Sequence, residues 1–455
     1  MSTTPLWSVS GLATGLDWRK MIDELMAIER RPITALEQRK SRLEAVKKAW
    51  SDLKLALQTV DTKLDPFFLS TTFQARVAVS SAETVVRGTA SAGAPVGTYA
   101  INVRTLAQAQ VVASAEQSQG ALGLAGDIYI NGKTISVVTT DTVASIRDKI
   151  NATAGVGVTA SVVNTVVNGV TKCILVLKSN TTGAAGAMTL SEDANQVLTK
   201  LGVLVNGAPN VKVPAQDAEF TVDGVAITSG SNTVTTAVPG VTLELKGTGS
   251  ATLEVKADVD SMVAKIRDFV NAYNDALSKL RSYLANQPGN AGPLAGDPTA
   301  QGMERQLRQL AYEAVPGLPA DMDSLYDIGI STTDKTGVLT IDESKLRAAL
   351  SSRPGDVAKV FYSADVSLKS VAERLRDAFR LWVQAGTGFI PARESGLDKL
   401  IEDMVDRMRV LEHRLKLREE RLIEQFVNLE RSLAVLQSQG AWLEQRLAAL
   451  QPARG

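Results

Sequence analysis

The sequence predicts an α+β multidomain protein. Both chain ends form a coiled-coil or helical-bundle leg, and antiparallel β-rich head domains are inserted in the middle. Charge density is the first observation behind this: residues 17–65 hold 20 charged side chains in 49 positions, whereas residues 76–255 hold 23 in 180. Composition is the second, because the sparsely charged stretch is rich in Thr, Val, Ala and Gly, as twisted sheets with tight turns are. The third is periodicity at both ends, where apolar residues recur at spacings of three, four and seven.

The first helical pattern, "TGLDWRKMIDELMAIERRPI", presents Leu16, Trp18, Ile22 and Leu25 on one face. Pro32 interrupts it, and a proline inside an unbroken helix costs about 3 kcal/mol. The pattern therefore predicts one helix near residues 15–31 and a second from about 33, with Pro32 as a joint. In the second, Leu36, Leu43, Val46, Trp50, Leu53, Leu57, Val60 and Leu64 form a heptad seam that "DPFF" ends.

Three pairs in the middle region, Asn131-Gly132, Asn168-Gly169 and Asp223-Gly224, read as two-residue hairpin turns, since both central residues tolerate positive φ. "IYINGKTI" and "FTVDGVAI" share a frame, which suggests two related β subdomains, one nested in the other. "TDTVASIRDKINAT" reads as a short helix capped by Asp141 or Thr142. Helix returns at "VDSMVAKIRDFVNAYNDALSKLRSYLAN", whose apolar face is wide enough for a bundle. A further helix is expected around "TAQGMERQLRQLAYEAV", then a strand and a helix in "GVLTIDESKLRAALSSRP", with Thr340 and Glu343 as a capping box.

The longest pattern closes the chain. From Leu397, seam positions include Met404, Met408, Leu411, Leu415, Leu422, Phe426, Leu429, Leu433, Leu436, Leu443 and Leu447, with Arg418 and Gly440 as defects. Running to residue 450, this helix would extend about 80 Å. Thr14-Gly-Leu-Asp17 and Ser395-Gly-Leu-Asp398 both place a hydroxyl and a carboxylate as helix-start signals. An intramolecular pairing of the two ends leaves much of the longer seam uncovered, so the stripes are expected to pack between copies. The predicted partition is a terminal segment 1–35, a helical leg 36–75 with 259–414, a head 76–108 with 214–258, a second head 109–213, and a coiled-coil segment 415–455.

Composition narrows the function. Basic and acidic residues balance at 49 each, so no net field gathers nucleic acid or anionic lipid. No apolar run approaches the roughly 20 residues of a membrane span, and the first residues lack the basic and apolar regions of a cleaved signal peptide. Cys173 sits in the strand-like "TKCILVLKSN" and reads as a small buried hydrophobe, while His413, the single histidine, lies on an exposed helix face. One histidine and one cysteine give neither a metal set nor a catalytic triad, and no glycine cluster has a phosphate-loop context. The expectation is a non-enzyme without cofactor or metal.

Several motifs in order carry a resemblance. "SGLATGLDWRKMIDELMAIERRPITALEQRKSRLEAVKKAWSDLKLAL" resembles the N-terminal region of the flagellar filament-capping family, hook-associated protein 2. "GDIYINGKTISVVTTDTVASIRDKINAT" resembles a short repeat of flagellins and hook-associated proteins. "FTVDGVAITSGSNTVTTAVPGVTLELKGTG", "IRDFVNAYNDALSKL" and "LYDIGISTTDKTGVLTIDESKLRAAL" are similar to the family's C-terminal region, and residues 178–215 match least. The resemblance implies a secreted structural homo-oligomer, most often a pentamer, at the filament tip. There it would promote folding and insertion of flagellin and prevent its loss. Export through the flagellar type III apparatus, with an export chaperone as a further partner, would follow. Two other readings are another axial or junction protein of the flagellum and a surface adhesin whose β heads bind glycans.

Overall fold

The computed structural model describes residues 17–332, 336–365 and 368–449, with the backbone alone for residues 447–449. Its main helices are α1 (Trp18–Glu29), α2 (Arg31–Leu64), α3 (Val143–Ala152), α4 (Val259–Leu284), α5 (Pro298–Tyr312), α6 (Glu343–Ser352), α7 (Pro354–Phe361), α8 (Val371–Val383) and α9 (Phe389–Ala449). Two compact units emerge. Among the described residues, one comprises those within 17–68, 265–346 and 356–449, and the other residues 69–264 and 347–355.

The first unit is helical and aromatic at its centre. Phe67 stacks on Phe361 with centroids 4.4 Å apart and meets the edge of Phe269 at 5.9 Å, while Trp50 meets Phe389 edge-on at 5.8 Å. Trp50, Leu53, Leu57, Val60 and Leu64 supply one buried face of α2, and α8 and α9 pack against that helix. Arg376 of α8 locks this packing: it bonds the Asp61 and Asp65 carboxylates and lies 3.9 Å over the Phe68 ring. Helix α8 is absent from the reading above. Its signal is present, however, since Val371, Leu375, Ala378, Phe379 and Trp382 are buried at helical spacing and the Glu373 carboxylate accepts from the Ser370 N–H and hydroxyl.

Helix starts required correction. Asp17 itself caps α1, its Oδ1 accepting from the Lys20 amide at 3.1 Å, while Thr14 lies outside the described residues. Ser395 and Asp398 fall inside α9, which begins at Phe389. Gly388 makes the earlier start possible, because a Cβ there would sit 2.6 Å from the Gln384 nitrogen, and Pro391 fits the first turn, where amides have no intrahelical acceptor. Asp342, rather than a Thr340–Glu343 box, caps α6 by accepting from the Lys345 amide at 3.0 Å.

The second unit holds two sheet pairs with separate cores. In one, a five-stranded antiparallel sheet runs in the order Arg76–Ser80, Gly249–Ala257, Gly97–Thr105, Ala218–Val222 and Val225–Ser229. It encloses Phe220, Leu253 and Val255 with the three-stranded sheet Thr233–Val238, Val241–Leu245 and Val86–Ala90. In the other, Val211–Val213, Ala109–Ala113, Val170–Thr182 and Val158–Val167 make four strands, and Lys133–Val137, Gly126–Ile130 and Leu190–Glu192 make three. Helix α3 contributes Ile146 and Ile150 to that second core, and Thr142 caps it through a box with Ser145. Asp141 instead pairs with Lys149 at 2.6 Å. Burial raises its carboxyl, and the Lys149 ammonium, Val138 amide and Ser145 hydroxyl more than offset this, leaving it below the ordinary value.

All three expected turns form. Ile130 pairs with Lys133, Val167 with Val170 and Val222 with Val225, which leaves two-residue turns with positive φ at Asn131, Asn168 and Asp223. The two hairpins with similar sequences sit in different cores. Cys173 is buried on one of the two inner strands of the four-stranded sheet, its Sγ donating to the Ser118 carbonyl at 3.3 Å.

Candidate assembly surface

The candidate site is built on α1, α2 and α9. Trp18 starts α1 by stacking on Phe426 of α9, with centroids 6.0 Å apart and planes 8° from parallel. Ile22 is buried beside it, whereas Leu25, one turn on, is largely exposed. The chain stays right-handed helical through Arg30, with φ −77° and ψ −16°, and Pro32 occupies the first turn of α2, where its missing N–H breaks no bond. The joint is thus a one-residue turn between helices. Ile33 is fully buried just after it.

Three ion pairs mark how α9 is held. Arg418, a defect in the apolar seam, donates to Glu29 at the end of α1 at 2.8 Å. Lys47 of α2 pairs with Asp398, and Lys54 with Glu394 at 2.5 Å. Along α2 the four-residue pairs are Lys40 with Glu44 and Lys48 with Asp52. Asp52 also accepts from the Tyr283 hydroxyl of α4 at 2.9 Å. The hydrogen bond from Lys48 and then that from Tyr283 hold the Asp52 carboxyl below its ordinary value, while burial first and Asp52 second push the Tyr283 phenol up.

The expected surface residues divide into three groups. Trp18, Ile22, Trp50 and Leu53 are buried inside the chain itself, and the indole N–H groups of both tryptophans find no acceptor among the described residues. Apolar ring contacts hold both, and the Arg19 guanidinium lies 5.5 Å from the centroid of the Trp18 ring as well. These four residues serve the intramolecular core, which corrects their reading as contacts between copies. Leu43, Val46, Leu411, Leu415, Leu422, Phe426 and Leu433 are half-buried. Leu43 and Val46, with Phe389, Leu397 and Leu400, line an apolar groove of about 540 Å³. Leu429, Leu436 and Leu443 are 51%, 61% and 55% exposed at spacings of seven residues. Leu16 lies outside the described residues, and at Leu447 the helix backbone alone is described.

An arrangement in which helices hold a long apolar stripe, and β domains are carried as insertions, defines a structural assembly protein. Comparison makes this specific. Residues 14–110 match the family described as Flagellar hook-associated protein 2 N-terminus, and residues 215–438 match Flagellar hook-associated protein 2 C-terminus. The flagellar hook-associated protein 2 of Escherichia coli strain K12 is 30% identical over 96% of this chain and 97% of its own length. The A-type protein of Pseudomonas aeruginosa is 27% identical over 97% of this chain and 98% of its own. A solved structure, the D1-D2-D3 domains of the flagellar cap protein FliD from Escherichia coli, superposes with a TM-score of 0.61 at 31% identity, over 77% of this chain and 99% of that one. The chain belongs to the flagellar hook-associated protein 2 family, the filament caps of the bacterial flagellum. Membership brings association with the filament and oligomeric assembly.

Proposed function

We propose that the chain works at the filament tip as a homo-oligomer, a pentamer, which receives flagellin, promotes its folding and insertion, and prevents its loss. The observation that carries this reading is the stripe Leu429, Leu436 and Leu443, since a heptad seam left in water is a surface awaiting a helix. Residues 36–75 and 259–414 then form the leg, residues 76–108 with 214–258 and residues 109–213 form the heads, and residues 1–35 and 415–455 are the terminal segments engaging the filament. Leu25, Leu43, Val46 and the half-buried seam residues of α9 flank the contact. Pro32 is the joint at which α1 changes angle as subunits add.

This role needs no catalytic chemistry, so the chain acts without turnover or cofactor. Export by the flagellar type III apparatus, with a chaperone covering the terminal stripe before assembly, supplies it to the tip. The test is to restore this chain, intact or carrying Leu429→Glu, Leu436→Glu and Leu443→Glu together, to cells that lack it. The expected result is tip labelling with the intact chain, and loss of the label with flagellin shed into the medium for the triple variant. Equal filament growth and equal flagellin loss with both would overturn the proposal.

A further inference from the structure

Three Asn-Gly pairs occur in the sequence, Asn131-Gly132, Asn168-Gly169 and Asn206-Gly207. All lie within residues 109–213, and each forms the two-residue turn of a hairpin. Glycine after asparagine matters chemically, because without a Cβ the following backbone nitrogen can swing toward the asparagine side-chain carbonyl. The three turns share nearly one conformation, with asparagine φ of 49°, 51° and 51°. Their side chains are held very differently.

Asn131 is held by three hydrogen bonds. Its Nδ2 donates to the Val156 carbonyl at 2.9 Å, its Oδ1 accepts from the Thr189 amide at 2.9 Å, and its own N–H donates to the Thr189 carbonyl at 2.8 Å. All three asparagines are exposed, but the side chains of Asn168 and Asn206 make no hydrogen bond among the described residues. A Cβ placed on Gly132, Gly169 or Gly207 would meet nothing within 4 Å, so all three tips stand open to solvent and only the bonding of the asparagine side chain separates them.

We propose that Asn168 and Asn206 are sites of spontaneous deamidation, and that the same motif at Asn131 is protected by its hydrogen bonds. The Gly169 backbone nitrogen gives its proton to solvent base and bonds to Asn168 Cγ. The Cγ–Nδ2 bond breaks, and the nitrogen takes up a proton and leaves as ammonia, closing a five-membered succinimide. Water then opens either carbonyl of the ring, giving aspartate or isoaspartate, so each event consumes one water and releases one ammonia without redox change. Gly207 acts on Asn206 in the same way. Attack requires the turn to leave its left-handed conformation, and the rate therefore follows local opening.

The products are unequal for the fold. Aspartate is accepted at positive φ almost as readily as asparagine, whereas isoaspartate lengthens the main chain inside a two-residue turn and disturbs the Val167–Val170 pair next to it. Either product adds a negative charge to a chain that is formally neutral. The head at residues 109–213 thus carries a chemical clock, with two running positions and one stopped.

The experiment holds the purified full-length protein at mildly alkaline pH and follows each tip peptide by mass spectrometry, with isoaspartate detection. A sample unfolded in urea runs alongside. Opening Asn131 breaks two more side-chain bonds of ordinary net strength than opening the other tips, so its conversion is expected to be on the order of tenfold to a hundredfold slower. In urea the three rates should converge. Equal rates at Asn131 and Asn168 in the folded protein would overturn the proposal. So would intact Asn168 and Asn206 in the folded protein while the unfolded chain converts.

Discussion

Helix α9 carries leucine-rich, heptad-like spacing in two places with opposite fates. Near its start, Ile390, Leu397 and Met404 are buried by α2 and its neighbours. Near its far end, Leu429, Leu436 and Leu443 keep the same kind of spacing and face water. Intrinsic propensity does not separate the two stretches, since leucine and methionine are good helix formers in either place. What separates them among the described residues is the number of partner helices: α2 and α8 both pack on the early part of the unit with α9, Trp50 of α2 meeting Phe389, whereas α1 as described begins at Trp18, opposite Phe426. A seam in sequence therefore specifies a helix and a sticky face, and the presence of a facing helix decides whether that face is covered.

The comparison breaks most sharply at Trp50. Trp50→Ala removes the largest fully buried side chain of the helical unit and leaves a cavity between α2 and α9 that those helices close only in part. A loss of about 3–5 kcal/mol in urea unfolding of the full chain is expected. Phe426→Ala, at the boundary between the covered and uncovered stretches, should cost about 1–2 kcal/mol, since the ring is half-buried and loses its stack with Trp18. Because Trp18 reports on that stack, its fluorescence should shift toward that of an exposed indole. An unchanged spectrum would mean that α1 is held by other contacts.

Much of this organisation was legible in the sequence. The hairpin turns were set by residues that tolerate positive φ, and the seam of α2 was set by a pattern that only one face of a helix satisfies. Which face of which helix would be covered was not legible, because burial of Trp18, Ile22, Trp50 and Leu53 depends on helices hundreds of residues away. Helix α8 shows this best, for its periodicity was present yet its role as the cover of α2 exists only in three dimensions. The start of α9 was misplaced for a local reason. "SGLD" is a sound capping pattern, but the close turn at Gly388 and the proline at position 391 open the helix earlier, and an N-cap motif inside a helix keeps only its charge, here used to pair Asp398 with Lys47.

A smaller effect sharpens the covered stretch by pH. Asp52 has a lower folded than unfolded pKa, so its contribution is fully present above about 3.8 and is lost as pH falls through the lower folded value. The group is partly exposed, and screening limits the contribution to about 0.5–1 kcal/mol. Asp52→Asn should remove that amount at neutral pH and flatten the acid limb of the stability curve, as measured by urea midpoints at a series of pH values. An unchanged acid limb would show that Tyr283 and Lys48 hold α2 without help from the carboxylate charge.

The smallest stability change belongs to the uncovered stretch and decides what that stretch is for. Leu436 is exposed, so Leu436→Glu buries no charge, opens no cavity and should move the unfolding midpoint by no more than about 0.5 kcal/mol. Self-association should respond quite differently, because a carboxylate placed in the middle of a helix–helix seam must be desolvated without a partner. Light scattering coupled to gel filtration should then show the intact chain as an oligomer and the variant as a smaller species with an identical unfolding curve. If both effects were small, cohesion between copies would have to come from the β heads, and the exposed leucines would be left to the filament. If the variant unfolded more easily as a monomer, the stripe would already be covered within the chain, and the contrast between the two ends of α9 would be lost.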